Sequence, residues 1–261
     1  MSNVLTARAA LTGATVVIVL GLAGTANALE IGGTAGNDRI RGSRGADTID
    51  AGAGNDRVQA LAGNDTVRGG PGNDRLQGNQ GDDTLIGDAN GTGDLTSFDV
   101  LWGGQGNDTL YGGDSRDVLW GGTGIDMIYG QNGNDVQHGG PGDDRQYGGP
   151  GNDTIYAGPG RDESWGEDGN DTLWALARAD VTSANDTQGD TLHGGNGDDV
   201  FRTRDGEQDN IDCGPGTDTA LLDFKDVIVD ATPQNPNGSC EVVKRAAPRP
   251  REDRPENTTQ Q

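Results

Sequence analysis

One phrase recurs along most of this chain with a period of nine residues, and that period constrains the fold more than any other feature. From Gly33 to Ile86 the units are unbroken: GTAGNDRIR, GSRGADTID, AGAGNDRVQ, ALAGNDTVR, GGPGNDRLQ, GNQGDDTLI. The same frame resumes from Gly103 to Trp174, longer units fill 87–102 and 175–193, and further units end at Arg202, Asp212 and Leu221. The sixth column is aspartate without exception: Asp38, Asp47, Asp56, Asp65, Asp74, Asp83, Asp99, Asp108, Asp117, Asp126, Asp135, Asp144, Asp153, Asp162, Asp171, Asp190, Asp199, Asp209 and Asp218. With 47 glycines, 31% hydrophobic residues and a net charge of −23, composition alone would point to disorder. A disordered acidic tract has no reason to hold phase, so the period overrides the composition over 33–221.

Each unit divides into two parts. G-x-x-G-N-D is turn chemistry, because glycine takes positive φ freely and Asn and Asp tolerate it. The eighth column is mostly apolar (Ile40, Ile49, Val58, Val67, Leu76, Leu85 and onward to Phe201 and Ile211). One apolar residue flanked by polar ones fits a very short strand with its middle side chain pointing inward. Gln137, Gln146 and Ser164 interrupt that inward column.

GGQGNDTLY (103–111) and GGPGNDTIY (148–156) match every fixed position of G-G-x-G-x-D-x-U-x. The phrase resembles the haemolysin-type calcium-binding nonapeptide of repeats-in-toxin (RTX) proteins. The resemblance implies an all-β parallel β-roll, a right-handed solenoid in which two repeats make one coil and consecutive strands lie in opposite sheets. It also implies calcium between successive turns, with the column-six aspartates supplying side-chain oxygens and the turns supplying main-chain carbonyls.

On that architecture Asp108 would lie above Asp126, and Asp126 above Asp144, at about the 4.8 Å strand spacing. Carboxylates about 5 Å apart repel by roughly 3 kcal/mol at an effective dielectric near 20. Burying one Val, Leu or Ile per repeat yields roughly 1.5–3 kcal/mol, while fixing each backbone unit costs about 1–2 kcal/mol. The cation-free roll should lose. Calcium accepts six to eight oxygens from carboxylates and carbonyls, so its binding energy becomes folding energy. Magnesium demands compact octahedral geometry and keeps its water; zinc has only two histidines and two distant cysteines to draw on. Arg116, Ile125 and Arg161 replace Asn or Asp in column five and should weaken their turns. Arg39, Arg41, Arg44, Arg57, Arg68 and Arg75 are expected at solvated positions that dilute the negative field.

The ends differ from the middle. Arg8, the apolar run Leu11–Gly24 and Ala26-Asn27-Ala28 together form the pattern of a cleaved secretory signal peptide over 1–28. The run is too short for a confident membrane span. The expectation is a secreted, extracellular bacterial protein starting near Leu29, with the β-roll over 29–221 and insertions within 87–98 and 175–189. Residues 222–243 are more apolar and should cap the solenoid. In an exported protein Cys213 and Cys240 most simply form a disulfide, with two free thiols as the alternative. Residues 244–261, rich in proline and charge, should be a disordered tail.

All tryptophans and tyrosines occupy column nine: Trp102, Tyr111, Trp120, Tyr129, Tyr147, Tyr156, Trp165 and Trp174, joined by His138 and His193. Alternation places them outward. They read either as a ladder of neighbour contacts within a sheet or as an exposed platform for a polysaccharide. Acidity argues against nucleic acid as a partner. No H-E-x-x-H, G-x-S-x-G or phosphate loop is present, and Ser115 in GGDS merely fills a turn column, so no enzyme is expected. The reading is a secreted calcium-binding protein, monomeric, with calcium ions as partners and a structural or binding role. Its first alternative is a calcium-dependent adhesin or carbohydrate-binding module that binds a polysaccharide or cell-surface ligand through column nine. The second is the accessory repeat region of a secreted enzyme or toxin.

Overall fold

A parallel pair of strands needs a crossover of a dozen or more residues between them. The nine-residue repeat supplies that crossover with another strand rather than a helix. Each chain turn runs strand, tight turn, strand, tight turn, and returns one strand spacing further on. The computed structural model describes residues 28–88, 97–175 and 189–247, together with the backbone of two short strands at 5–8 and 17–19. Apart from those two strands, the expected signal peptide lies outside the described residues, as do the centres of both insertions and the tail beyond 247.

The chain forms two compact units, Met1–Asp135 and Val136–Gln261. In the first, one sheet contains Leu5–Arg8, Leu29–Thr34, Thr48–Gly52, Thr66–Arg68, Thr84–Ile86, Thr109–Asp114 and Met127–Asn132 in that order. The other contains Val17–Val19, Arg39–Arg41, Arg57–Ala62, Arg75–Gln80, Val100–Gln105 and Val118–Thr123. In the second unit one sheet is Arg145–Pro150, Glu163–Asp168, Thr191–Asn196, Asn210–Asp212 and Val227–Ile228. Its companion is Val136–His138, Thr154–Tyr156, Thr172–Trp174, Val200–Thr203, Thr219–Leu222 and Val242–Arg245. Within each unit the described pairings are parallel, as a β-roll requires. The protein is an all-β parallel solenoid of about ten turns in total.

Column eight is the core. Ile31, Ile49, Val67, Leu85, Leu110 and Ile128 stack in register in one sheet. Ile40, Val58, Leu76, Leu101 and Leu119 do so in the other. All are buried. The insertion after Ile86 does not disturb this register, since Leu85 still pairs with Leu110 and Leu76 with Leu101. Gln137, Gln146 and Ser164 are fully buried at inward positions, where apolar packing alone would leave them unsatisfied. Gln137 Nε2 donates to the Tyr147 carbonyl at 2.6 Å, Gln146 Nε2 to the Tyr156 carbonyl at 3.2 Å, and Ser164 Oγ to Gln146 Oε1 at 3.2 Å.

Cys213 and Cys240 form a buried disulfide with a Cα–Cα distance of 5.3 Å and a sequence separation of 27. It ties the last strand region to Asn210–Asp212. Arg245 Nη1 donates to the carbonyls of Asp223 and Asp226, and Arg204 Nη2 to that of Lys244, which fastens the segment beyond 222.

Candidate metal centre

The column-six aspartates are held by the turn that precedes each strand. Each described one is essentially buried, Asp56, Asp99, Asp117, Asp126, Asp190, Asp209 and Asp218 completely. They form ladders along the solenoid. The Asp56 amide donates to Asp74 Oδ1 at 2.7 Å, Asp65 to Asp83 Oδ1 at 2.8 Å, and Asp108 to Asp126 Oδ1 at 2.7 Å. Both long insertions are bridged without a break: Asp74 donates to Asp99 Oδ1 and Asp162 to Asp190 Oδ1. One carboxylate oxygen is therefore committed to the neighbouring coil.

The other oxygen is not. Oδ2 of Asp56, Asp65, Asp74, Asp83, Asp99, Asp108, Asp117, Asp162, Asp171, Asp199, Asp209 and Asp218 is buried without a hydrogen-bond donor. The first coils differ, because the column-two amides of Thr34 and Ser43 donate to that oxygen there. Asp38 Oδ2 accepts from Thr34 N at 2.6 Å and Thr34 Oγ1 at 2.9 Å, and Asp47 Oδ2 from Ser43 N at 2.6 Å. Of the sequence candidates, Asp38 and Asp47 thus already have their own donors.

Column-one glycines border the orphan oxygens. A Cβ on Gly103 would collide with Asp108 Oδ2 and with the carbonyl of Gly121. A Cβ on Gly166 would strike Asp171 Oδ2, and one on Gly194 would strike both Asp199 Oδ2 and the carbonyl of Cys213. At these glycines the turn brings a buried carboxylate oxygen beside main-chain carbonyl oxygens, in space only a hydrogen can share, whereas Ala51, Ala60 and Ala157 take column one in the repeats of Asp56, Asp65 and Asp162. This is an all-oxygen donor set, the chemistry of a hard cation. Among the described residues no group of three or more His, Cys, Asp or Glu side chains is arranged to hold a metal ion. Carbonyls must therefore complete any site, which explains the glycine content of the turns.

Burial sets the electrostatics. It pushes Asp65, Asp74 and Asp199 up to about 7, Asp108 and Asp117 to about 8, and Asp99 to about 9, from an ordinary value of 3.8. The ladder hydrogen bond opposes the shift, and neighbouring aspartates add to it. Asp209 is raised well above the ordinary value by burial and by the charges of Asp205, Asp190 and Asp226. These carboxylates resist ionisation unless positive charge is supplied.

The sequence reading missed several participants. Asp226 continues one ladder, accepting from the Asp209 amide at 3.3 Å. Glu241 ends the other, accepting from the Asp218 amide at 2.8 Å. The signal was present as an acid followed by two apolar residues, Asp226-Val227-Ile228 and Glu241-Val242-Val243, but the G-x-x-G phrase precedes neither. Column five also has a role that spacing did not reveal. Asn37 Oδ1 accepts from the Asn55 amide, Asn55 Oδ1 from Asn73, and Asn152 Oδ1 from Asn170. Ile125 and Arg161 donate their amides to Asn107 and Asp143 in the same way, but their side chains lack the acceptor oxygen of Asn or Asp.

Column nine projects from the sheets as expected, yet its rings lie flat on one another. Trp102 and Trp120 stack at 5.2 Å and 4°, Tyr111 and Tyr129 at 5.0 Å and 6°, Tyr147 and Trp165 at 4.5 Å and 2°. The stacked faces cover each other, so the column is a ladder rather than a coplanar platform. His138 departs from the outward expectation: stacked 4.7 Å from Tyr156, it is only 7% exposed, and burial lowers its pKa to about 4.

A family model described as RTX calcium-binding nonapeptide repeat (4 copies) matches residues 32–67, 59–90, 96–128, 111–146, 138–173 and 186–220. No curated protein matches the chain.

Proposed function

Because the chain belongs to the family of RTX calcium-binding nonapeptide repeats, we propose that it is an exported protein whose solenoid assembles when calcium becomes available outside the cell. The buried Oδ2 atoms without donors are the observation that carries this reading. Asp56, Asp65, Asp74, Asp83, Asp99, Asp108, Asp117, Asp162, Asp171 and Asp199 would hold the ions, joined by column-one carbonyls such as those of Gly121 and Cys213. When bound, calcium supplies the positive charge that lets these carboxylates ionise while buried. The chain's part is to preorganise them: the ladder hydrogen bonds fix Oδ1, and the glycines leave the carbonyls uncovered. The protein acts as an extracellular monomer in a structural or binding role, without catalysis. Export rests on the basic-apolar-small pattern of residues 8–28.

The test is a calcium titration of the purified chain followed by circular dichroism, with magnesium as control. Little β structure is expected in chelator, and a cooperative β signal over about 0.1–1 mM calcium, the range of extracellular modules. A compact β fold in excess chelator, unchanged by calcium, would end this reading.

A further inference from the structure

Arg39, Arg57 and Arg75 stand directly opposite one another on successive strands of one sheet. Arg41 lies two residues beyond Arg39 and so on the same outward face. With Gln59, Gln77 and Trp102 they line an open groove of about 580 Å³. All four arginines are exposed, and none of their side chains makes an ion pair or hydrogen bond with a described residue. In a chain with 42 acidic and 19 basic residues, four unpaired arginines on one face are not explained by dilution of the field. Like charges opposite each other disfavour a sheet. An anionic polymer laid along the row turns that repulsion into attraction.

The other lining groups narrow the partner. Gln59 Nε2 donates to Gln77 Oε1 at 2.9 Å, which leaves a carbonyl oxygen on Gln59 and an amide N–H on Gln77 to meet hydroxyls. Trp102 is the first ring of its ladder. One face lies on Trp120, and the other is turned toward the Gln77 strand and lines the groove. Duplex DNA carries one charge per about 1.7 Å of axis, far more than four guanidiniums neutralise inside the field of a −23 chain. A polysaccharide with about one anionic group per sugar suits guanidiniums spaced by about 4.8 Å. We propose that this groove binds an acidic polysaccharide, its carboxylate or sulfate groups on Arg39, Arg57 and Arg75 and a sugar ring against Trp102.

The test is binding of the calcium-loaded full chain to immobilised chondroitin sulfate at low and high salt, with dextran and duplex DNA as comparisons. Binding to chondroitin sulfate but not dextran is expected, weakened at least about tenfold by high salt and about tenfold by Arg57→Gln/Arg75→Gln. Arg68→Gln, on the other sheet, should leave it unchanged, and Arg57→Lys/Arg75→Lys should retain most of it. Circular dichroism in calcium checks that each variant is folded, and separates failure here from failure of the calcium reading. Absence of binding, binding indifferent to the arginine pair, or tighter arginine-dependent binding of DNA would each overturn the proposal.

Discussion

The Asp56 amide donates to Asp74 Oδ1 at 2.7 Å, while Asp74 Oδ2 is buried with no donor at all. One carboxylate therefore has two distinct tasks. Its first oxygen joins adjacent coils, and its second leaves a negative charge for which the fold alone offers no partner. The consequences can be measured separately.

Asp74→Asn keeps an acceptor at the first position and removes the charge at the second. In chelator this variant should be more stable than the parent, by on the order of 1 kcal/mol, because burial has raised the Asp74 pKa to about 7. In saturating calcium it should be less stable and need a higher calcium concentration to fold. Denaturant unfolding in calcium and the residual β signal in chelator read the two signs; the same sign in both would assign Asp74 a purely structural role.

The calcium-free fold should also respond to acid. Asp65 and Asp199 near 7, Asp117 near 8 and Asp99 near 9 bind protons that the unfolded chain releases near 3.8. The stability these groups contribute is present below 3.8 and is lost as pH rises through the folded values. In chelator the β signal should therefore grow as pH is lowered from about 8 to about 5. A decrease over that interval would contradict the burial of these carboxylates.

Gly103 has no side chain because Asp108 Oδ2 and the Gly121 carbonyl fill the space. Gly103→Ala should destabilise the calcium-loaded protein by roughly 1–3 kcal/mol, the usual effect of overpacking, and should weaken calcium binding. Thermal unfolding in calcium and a calcium titration measure the two effects. An unaltered midpoint in both would show that the turn has room to spare.

Leu61 has φ 92° at a column-two position, where Gly52, Gly104 and Gly122 have φ 100°, 122° and 118°. A left-handed backbone disfavours a branched side chain by roughly 1–2 kcal/mol. Leu61→Gly should accordingly stabilise the protein by up to about 1 kcal/mol after the unfolded-state entropy of glycine is deducted. A lower melting temperature for this variant would show that Leu61 contributes packing that outweighs its strain.

Much of this was legible in the residue order. The sixth-column aspartates, the eighth-column core and the turn glycines follow from a strict nine-residue phase. A period is a local property that every copy reports independently, so Gln137 or Arg116 in one copy cannot hide it. Interactions across coils were not legible in the same way. That Asn55 accepts from Asn73, that Trp102 lies flat on Trp120, and that Arg57 faces Arg75 depends on which residues register brings together. Asp226 and Glu241 escaped because their turns lack the G-x-x-G phrase of the repeat, although their carboxylates continue the same ladders.

The sequence by itself determined the period, the strand-and-turn alternation, the inward column and the oxygen-rich, acidic character of the turns, because each is written into every nonapeptide. Only the tertiary structure decided how each carboxylate divides its two oxygens, which rings cover one another, and which arginines share a groove. Those outcomes depend on contacts between residues 18 or more positions apart along the chain, and burial, which exists only once coils stack, sets their energies.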